Sequence, residues 1–154
     1  IEKIEPQVQS IVISYNRNET AYKNLRHPCA QDLVSDYRGP LMGILSCAHL
    51  IRSEFLFAMP CDVPHLPANI VSTLLESLGD AELSVAHDGN RLQPLFFAGR
   101  TQVIESIQDF LDGGGRSVTK WIKSKDHVVV DFSSQQSAFW NINETSQLQQ
   151  SKPL

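Results

Sequence analysis

The segment from Phe55 to Pro67 restricts the fold more than any other part of the chain. Phe55-Leu56-Phe57-Ala58-Met59 is an unbroken apolar run, and Pro60, Pro64 and Pro67 then forbid both helix and further strand. Uninterrupted apolar strands belong to sheets covered on both faces, as in parallel α/β folds. Such sheets bind ligands outside the carboxyl ends of their strands. Asp62 falls at that place, and its carboxylate suits a hard cation such as Mg²⁺. An Asp before a proline is equally a turn residue, and this stretch alone leaves both readings open.

The 154 residues are 42% hydrophobic, enough for one globular domain that buries a core without staples. A net charge of −4 argues against nucleic-acid binding, which needs a basic face. No apolar run approaches a membrane span, so no membrane partner is expected. Cys29, Cys47 and Cys61 are odd in number and lack Cys-x-x-Cys spacing, which speaks against a disulfide framework or a zinc site. Cys61 and His65 alone fall short of the three or four ligands that zinc takes. Free thiols and the absence of an export pattern point to the cytoplasm.

Taken in order, Ile1–Glu5 reads as the tail of a helix stopped by Pro6, and Val8–Tyr15 as a buried strand. Asn16-Arg17-Asn18 is a polar loop at that strand's carboxyl end, Glu19–Leu25 a short helix, and His27–Ala30 a weak edge strand. In Gln31–Gly43, a polar loop runs into a helix at Pro40, whose missing N–H costs nothing in the first turn. Gly39 and Gly43 permit close backbone approach there, either for a phosphate at the helix start or for tight helix–sheet packing. Further helices are expected over Ala68–Leu78, Thr101–Leu111 and Val118–Ile122, and strands over Glu82–His87, Gln93–Ala98 and His127–Phe132. Asp88-Gly89-Asn90 makes the turn that sends Gln93–Ala98 back antiparallel. Asn141 and Asn143 share one face of an extended segment before a tail helix over Glu144–Gln150. They serve either as a hydrogen-bonding pair for a ligand or as helix caps. The pattern gives a three-layer α/β/α fold with a mostly parallel, Rossmann-like sheet and one antiparallel strand.

Several motifs occur in one fixed order: Asp32 through Gly43, Pro60-Cys61-Asp62-Val63-Pro64, His87-Asp88-Gly89 with Gln93-Pro94-Leu95, Gly114-Gly115-Arg116, and Asn141-Ile142-Asn143-Glu144. That order resembles the bacterial molybdenum cofactor guanylyltransferase family, over essentially the whole chain. The resemblance implies transfer of GMP from GTP to molybdopterin with release of pyrophosphate, and Mg²⁺ as cofactor. It implies that Asp62 ligates Mg²⁺ and is the catalytic residue, that Asn16 lies near the guanine, and that Asp32 holds the nucleoside. It implies that Gly39 and Gly43 let the protein backbone approach the nucleoside, with Pro40 beside them at the nucleotide, and that Arg116, Asn141 and Asn143 face molybdopterin. Other molybdenum-cofactor biosynthesis proteins and apo-molybdoenzymes are the implied protein partners.

Two departures from the family pattern stand out. The family opens on a strand and a glycine-rich loop of the type LAGGxxxRMGxxK, and this sequence has no counterpart of either. The resemblance puts that strand between those matching Val8–Tyr15 and Phe55–Met59. Residues 1–154 are therefore expected to be one N-terminally truncated nucleotidyltransferase domain, unstable or inactive alone. The second departure is Gln93-Pro94, where the family often has His-Pro. A cytidylyltransferase, a sugar-nucleotide pyrophosphorylase and a non-catalytic molybdopterin-binding adaptor are the alternative functions.

Overall fold

The computed structural model describes residues 1–32 and 39–140. Its elements in chain order are β1 (Ile13–Ser14), α1 (Glu19–Lys23), β2 (Cys29–Ala30), α2 (Pro40–Ala48), β3 (Phe55–Ala58), α3 (Ile70–Leu78), β4 (Leu83–His87), β5 (Leu92–Arg100), α4 (Ser106–Asp112), α5 (Val118–Lys123) and β6 (His127–Asp131). Tight 3₁₀ turns cover Glu5–Gln7, Thr101–Glu105 and Ser133–Phe139. One sheet pairs β1 with β2 in parallel; the other has the order β3-β5-β4-β6. There β5 is antiparallel to both neighbours while β4 and β6 are parallel, so three strands run one way and one runs against them.

Strand period sorts the core into two halves. Leu83 and Val85 of β4 join α2, α4 and α5 on one face, where Leu41, Leu45, Phe97, Ile107, Leu111 and Trp121 are buried. Ala86 points to the opposite face, with Ile70, Val71 and Leu74 of α3 and with Phe96, Val130 and Phe132. Ser84 shares that side; its buried hydroxyl donates to the Leu74 carbonyl at 2.7 Å, so a helix carbonyl satisfies the polar group inside the layer. The expected three-layer α/β fold is thus the one found.

Several expectations change in detail. The strand expected over Val8–Tyr15 is paired only at Ile13–Ser14, because β2 offers two residues of ladder, while Val8 and Ile11 still pack against the core. Among the described residues Phe55–Ala58 is paired on one edge only, with β5, and within it only Leu56 is buried, so it is not the strand covered on both faces that the apolar run suggests. The helix expected over Thr101–Leu111 opens as a 3₁₀ turn, with the Thr101 N–H and hydroxyl tied to the carbonyls of Glu54 and Ser53. Ile1–Glu5 ends in the 3₁₀ turn at Glu5–Gln7. Pro94 lies inside a central strand, where it cannot donate to a ladder. The register answers this: Val85 opposes Phe97 and Ala86 opposes Gln93, so Pro94, Leu95 and Phe96 bulge out of the pairing. The tail helix over Glu144–Gln150 lies outside the described residues, as does all of the extended segment beyond Trp140.

The β4–β5 turn is organised by a buried carboxylate. Asp88 Oδ1 accepts the N–H groups of Asn90 and Arg91, and Oδ2 accepts the Gln93 amide at 2.6 Å. Burial pushes the Asp88 carboxyl up, but these bonds and the Arg91 charge outweigh it and hold the group below its ordinary 3.8. A depressed folded value contributes stability above the unfolded value and loses it as pH falls through the folded one. Asp88→Asn should therefore lower the urea midpoint at pH 7, and the gap to the parent should close as pH drops below 3.8. A gap that stays constant with pH would remove the carboxylate charge from the account.

Candidate active site at the carboxyl ends of the strands

Asn16 follows β1 by two residues and Asp32 follows β2 by two, so parallel pairing brings them side by side. They bind each other twice: Asn16 Nδ2 donates to Asp32 Oδ2 at 2.8 Å, and the Asp32 N–H donates to Asn16 Oδ1 at 3.2 Å. This uses one Asp32 oxygen and leaves the other free. Asp32 Oδ1 is buried and has no hydrogen-bond partner. An orphaned carboxylate oxygen is costly unless a ligand meets it.

Helix α2 closes over this pair. Its N-cap Gly39 has φ +75°, a left-handed conformation that strains a side chain, and Pro40 takes the first helical position. A methyl group at Gly43 would stand 2.5 Å from Ser14 Oγ, 3.3 Å from Ser14 Cβ and 3.5 Å from Asp32 Oδ1. Gly43 therefore lets the helix approach β1 and Asp32 closely. On the same helix, burial first, then the negative charges of Asp32 and Cys29, push the Cys47 thiol up from 9.0 to about 12. The raised value contributes stability that is complete below pH 9.0 and lost as pH rises toward about 12. At neutral pH the thiol is uncharged and a poor nucleophile.

Asp62 lies four residues beyond β3, half-buried, with Oδ1 buried and unpartnered like that of Asp32. Two orphaned carboxylate oxygens near strand ends are hard donors that fit Mg²⁺. Among the described residues no three His, Cys, Asp or Glu side chains gather as a metal cage, so a cation here would take its remaining oxygens from substrate or water. Cys61 is exposed, as is His65, and neither joins a metal cluster.

Arg116 lies at the turn between α4 and α5, where its carbonyl oxygen would sit 3.9 Å from a methyl group at Gly39. Its guanidinium turns back onto the chain, Nη1 donating to the carbonyls of Leu111 at 2.8 Å and Gly115 at 2.6 Å. It closes the end of α4 rather than reaching outward. Asn141 and Asn143 lie outside the described residues. Sequence reasoning missed Ser14; its place opposite Gly43 depends on α2 crossing β1, which no local pattern encodes.

A family profile for the MobA-like NTP transferase domain matches residues 1–128. The chain belongs to this family. It is 39% identical over 152 residues to a molybdenum cofactor guanylyltransferase of Shewanella woodyi, covering 97% of this chain and 78% of that protein. The fold matches the crystal structure of molybdopterin-guanine dinucleotide biosynthesis protein A from Archaeoglobus fulgidus with a TM-score of 0.70 at 16% identity, covering 97% of this chain and 81% of that one. It also matches 2-C-methyl-D-erythritol 4-phosphate cytidylyltransferase from Thermus thermophilus, with a TM-score of 0.69 at 10% identity over 96% and 82% of the two chains. Nucleotidyltransferase activity is what the family match and the name of the Shewanella woodyi relative support.

Within this NTP transferase domain the Gly43 contact is testable. An Ala in a helix interior ordinarily gains roughly 0.8–1.0 kcal/mol over Gly. Here the added methyl meets Ser14, and overpacking of this kind costs about 1–3 kcal/mol. Gly43→Ala should lower stability in urea denaturation, and adding Ser14→Gly should recover much of the loss. Gly43→Ala stabilising the protein would show that α2 is not packed against β1 in this way.

Proposed function

We propose that this chain transfers GMP from GTP to molybdopterin, forming the guanine dinucleotide form of the molybdenum cofactor and releasing pyrophosphate. The buried, unpartnered Asp62 Oδ1 at the carboxyl end of β3 carries the reading. The name and the 39% identity of the Shewanella woodyi relative support the choice of substrates.

A terminal phosphate oxygen of molybdopterin attacks the α-phosphorus of GTP in line, and the bond from that phosphorus to the bridging oxygen of pyrophosphate breaks. Such transfer asks little covalent work of a protein; positioning and charge neutralisation dominate. Asp62 would hold Mg²⁺. When bound, the ion neutralises charge on the triphosphate and the leaving pyrophosphate. Asn16 and Asp32, already locked together by two hydrogen bonds, form a rigid rim for the guanine nucleoside, with Asp32 Oδ1 free to accept from it. Gly39 and Gly43, with Pro40 in the first helical turn, let the backbone of α2 approach that rim closely. Arg116, Asn141 and Asn143 form the molybdopterin side; Arg116 would reach the substrate by giving up its bonds to Leu111 and Gly115.

The reading extends to the sheet. Among the described residues neither β1 nor β3 has a strand partner on its second edge. Free strand edges of this kind leave backbone groups that a further strand could pair. The enzyme works in the cytoplasm, handing its product to apo-molybdoenzymes and working beside other molybdenum-cofactor biosynthesis proteins. Among the described residues no helix is long and apolar enough to cross a membrane.

In the full-length protein, Asp62→Ala should cut Mg²⁺-dependent guanylyl transfer by about a hundredfold or more, the scale on which removing one transition-state stabiliser acts. GTP and not CTP should raise the parent's melting temperature. Full transfer by Asp62→Ala would remove that residue from the mechanism. Stabilisation by CTP alone would make the protein a cytidylyltransferase, and binding of molybdopterin without any transfer would make it an adaptor.

A further inference from the structure

The loop that carries Asp62 is held from the opposite end of the chain. Helix α3 begins at Ile70 with Asn69 in its N-cap position, but Asn69 makes no side-chain cap bond. Gln7 does that work from 64 residues away: its Oε1 accepts the Val71 N–H at 3.3 Å. The same carboxamide donates through Nε2 to the Pro67 carbonyl at 3.0 Å and to the Lys3 carbonyl at 3.0 Å. One side chain thus ties the last residue of the Asp62–Pro67 loop, the first turn of α3 and the N-terminal segment together. Ile4 anchors that segment, buried in the same cluster as Val63, Leu66, Ile70 and Val71.

The geometry leaves the loop few other restraints near Asp62. Asp62 Oδ1 has no partner, and Pro64 and Pro67 have no N–H to donate. Val63 and Leu66 fix the loop through apolar contacts, which set depth but little direction. The hydrogen bonds at Pro67 and Val71 supply the direction. We infer that Gln7 is a positioning residue that sets where the Asp62 carboxylate stands. The inference rests on the reading of Asp62 as a metal ligand.

Its test uses the full-length protein with Mn²⁺ as probe in the presence of GTP, at a temperature where circular dichroism shows each variant folded. Gln7→Met keeps the length of the side chain and removes all three bonds. Gln7→Glu keeps an acceptor for Val71, favoured at a helix N-terminus, and removes both donors. Both variants should weaken Mn²⁺ binding, Gln7→Met by about tenfold, the scale of one lost hydrogen bond. The methyl resonances of Val63 and Leu66 should shift, while those of Leu83 and Ile122 in the other half of the core should not. Parent-like Mn²⁺ binding in both variants, alongside weakened binding in Asp62→Ala, would overturn the role of Gln7 and leave Asp62 in place. Mn²⁺ binding unchanged by Asp62→Ala, or absent from the parent, would instead overturn the metal reading on which the inference stands.

Discussion

Burial of β4 on both faces is the constraint from which the rest of the structure follows. Leu83 and Val85 have no exposed surface on one side, and Ser84 and Ala86 have none on the other. A strand in that position needs helices above and below, and α2, α4 and α5 on one face and α3 on the other provide them. The same requirement fixes strand directions: β4 lies parallel to β6, and β5 enters between β4 and β3 against the flow. With β3, β4 and β6 running one way, their carboxyl ends gather on one side, and there the chain places the Asp62 loop.

The candidate site is built on a second principle, the pairing of groups that are distant in sequence. Asn16 and Asp32 meet because β1 and β2 run parallel, and Gly43 makes room for α2 beside them. Their mutual hydrogen bonds consume one face of the Asp32 carboxylate and leave the other buried and unmet. Asp62 shows the same unmet oxygen. Folding thus tolerates two polar atoms that a purely structural design would satisfy, and cost of this kind is characteristic of sites built to receive a ligand.

Legibility in the sequence divides along the same line. The layer order, and the place of Asp62 beyond β3, were readable because apolar runs and prolines are local signals. The antiparallel strand was readable from Asp88-Gly89-Asn90, although the bulge that accommodates Pro94 was not, since it depends on registers with two neighbours. The length of β1 was overestimated because apolar pattern reports burial, while a ladder also needs a partner, and β2 provides two residues. The Asn16–Asp32 bond, the Ser14–Gly43 contact and the capping of α3 by Gln7 join residues 16, 29 and 64 positions apart. No periodicity records such contacts. For Arg116 the motif marked the residue but could not show that its guanidinium bonds the carbonyls of Leu111 and Gly115.

The account's central claim is that the strand ends around Asp32 and Asp62 receive a metal–nucleoside triphosphate. A crystal structure of the full-length protein with Mn²⁺ and GTP, with anomalous scattering locating the metal, tests it most directly. The account predicts a metal peak bonded to Asp62 Oδ1, with the guanosine against the Asn16–Asp32 pair. A metal bound away from Asp62, or a nucleoside placed far from that pair, would contradict it.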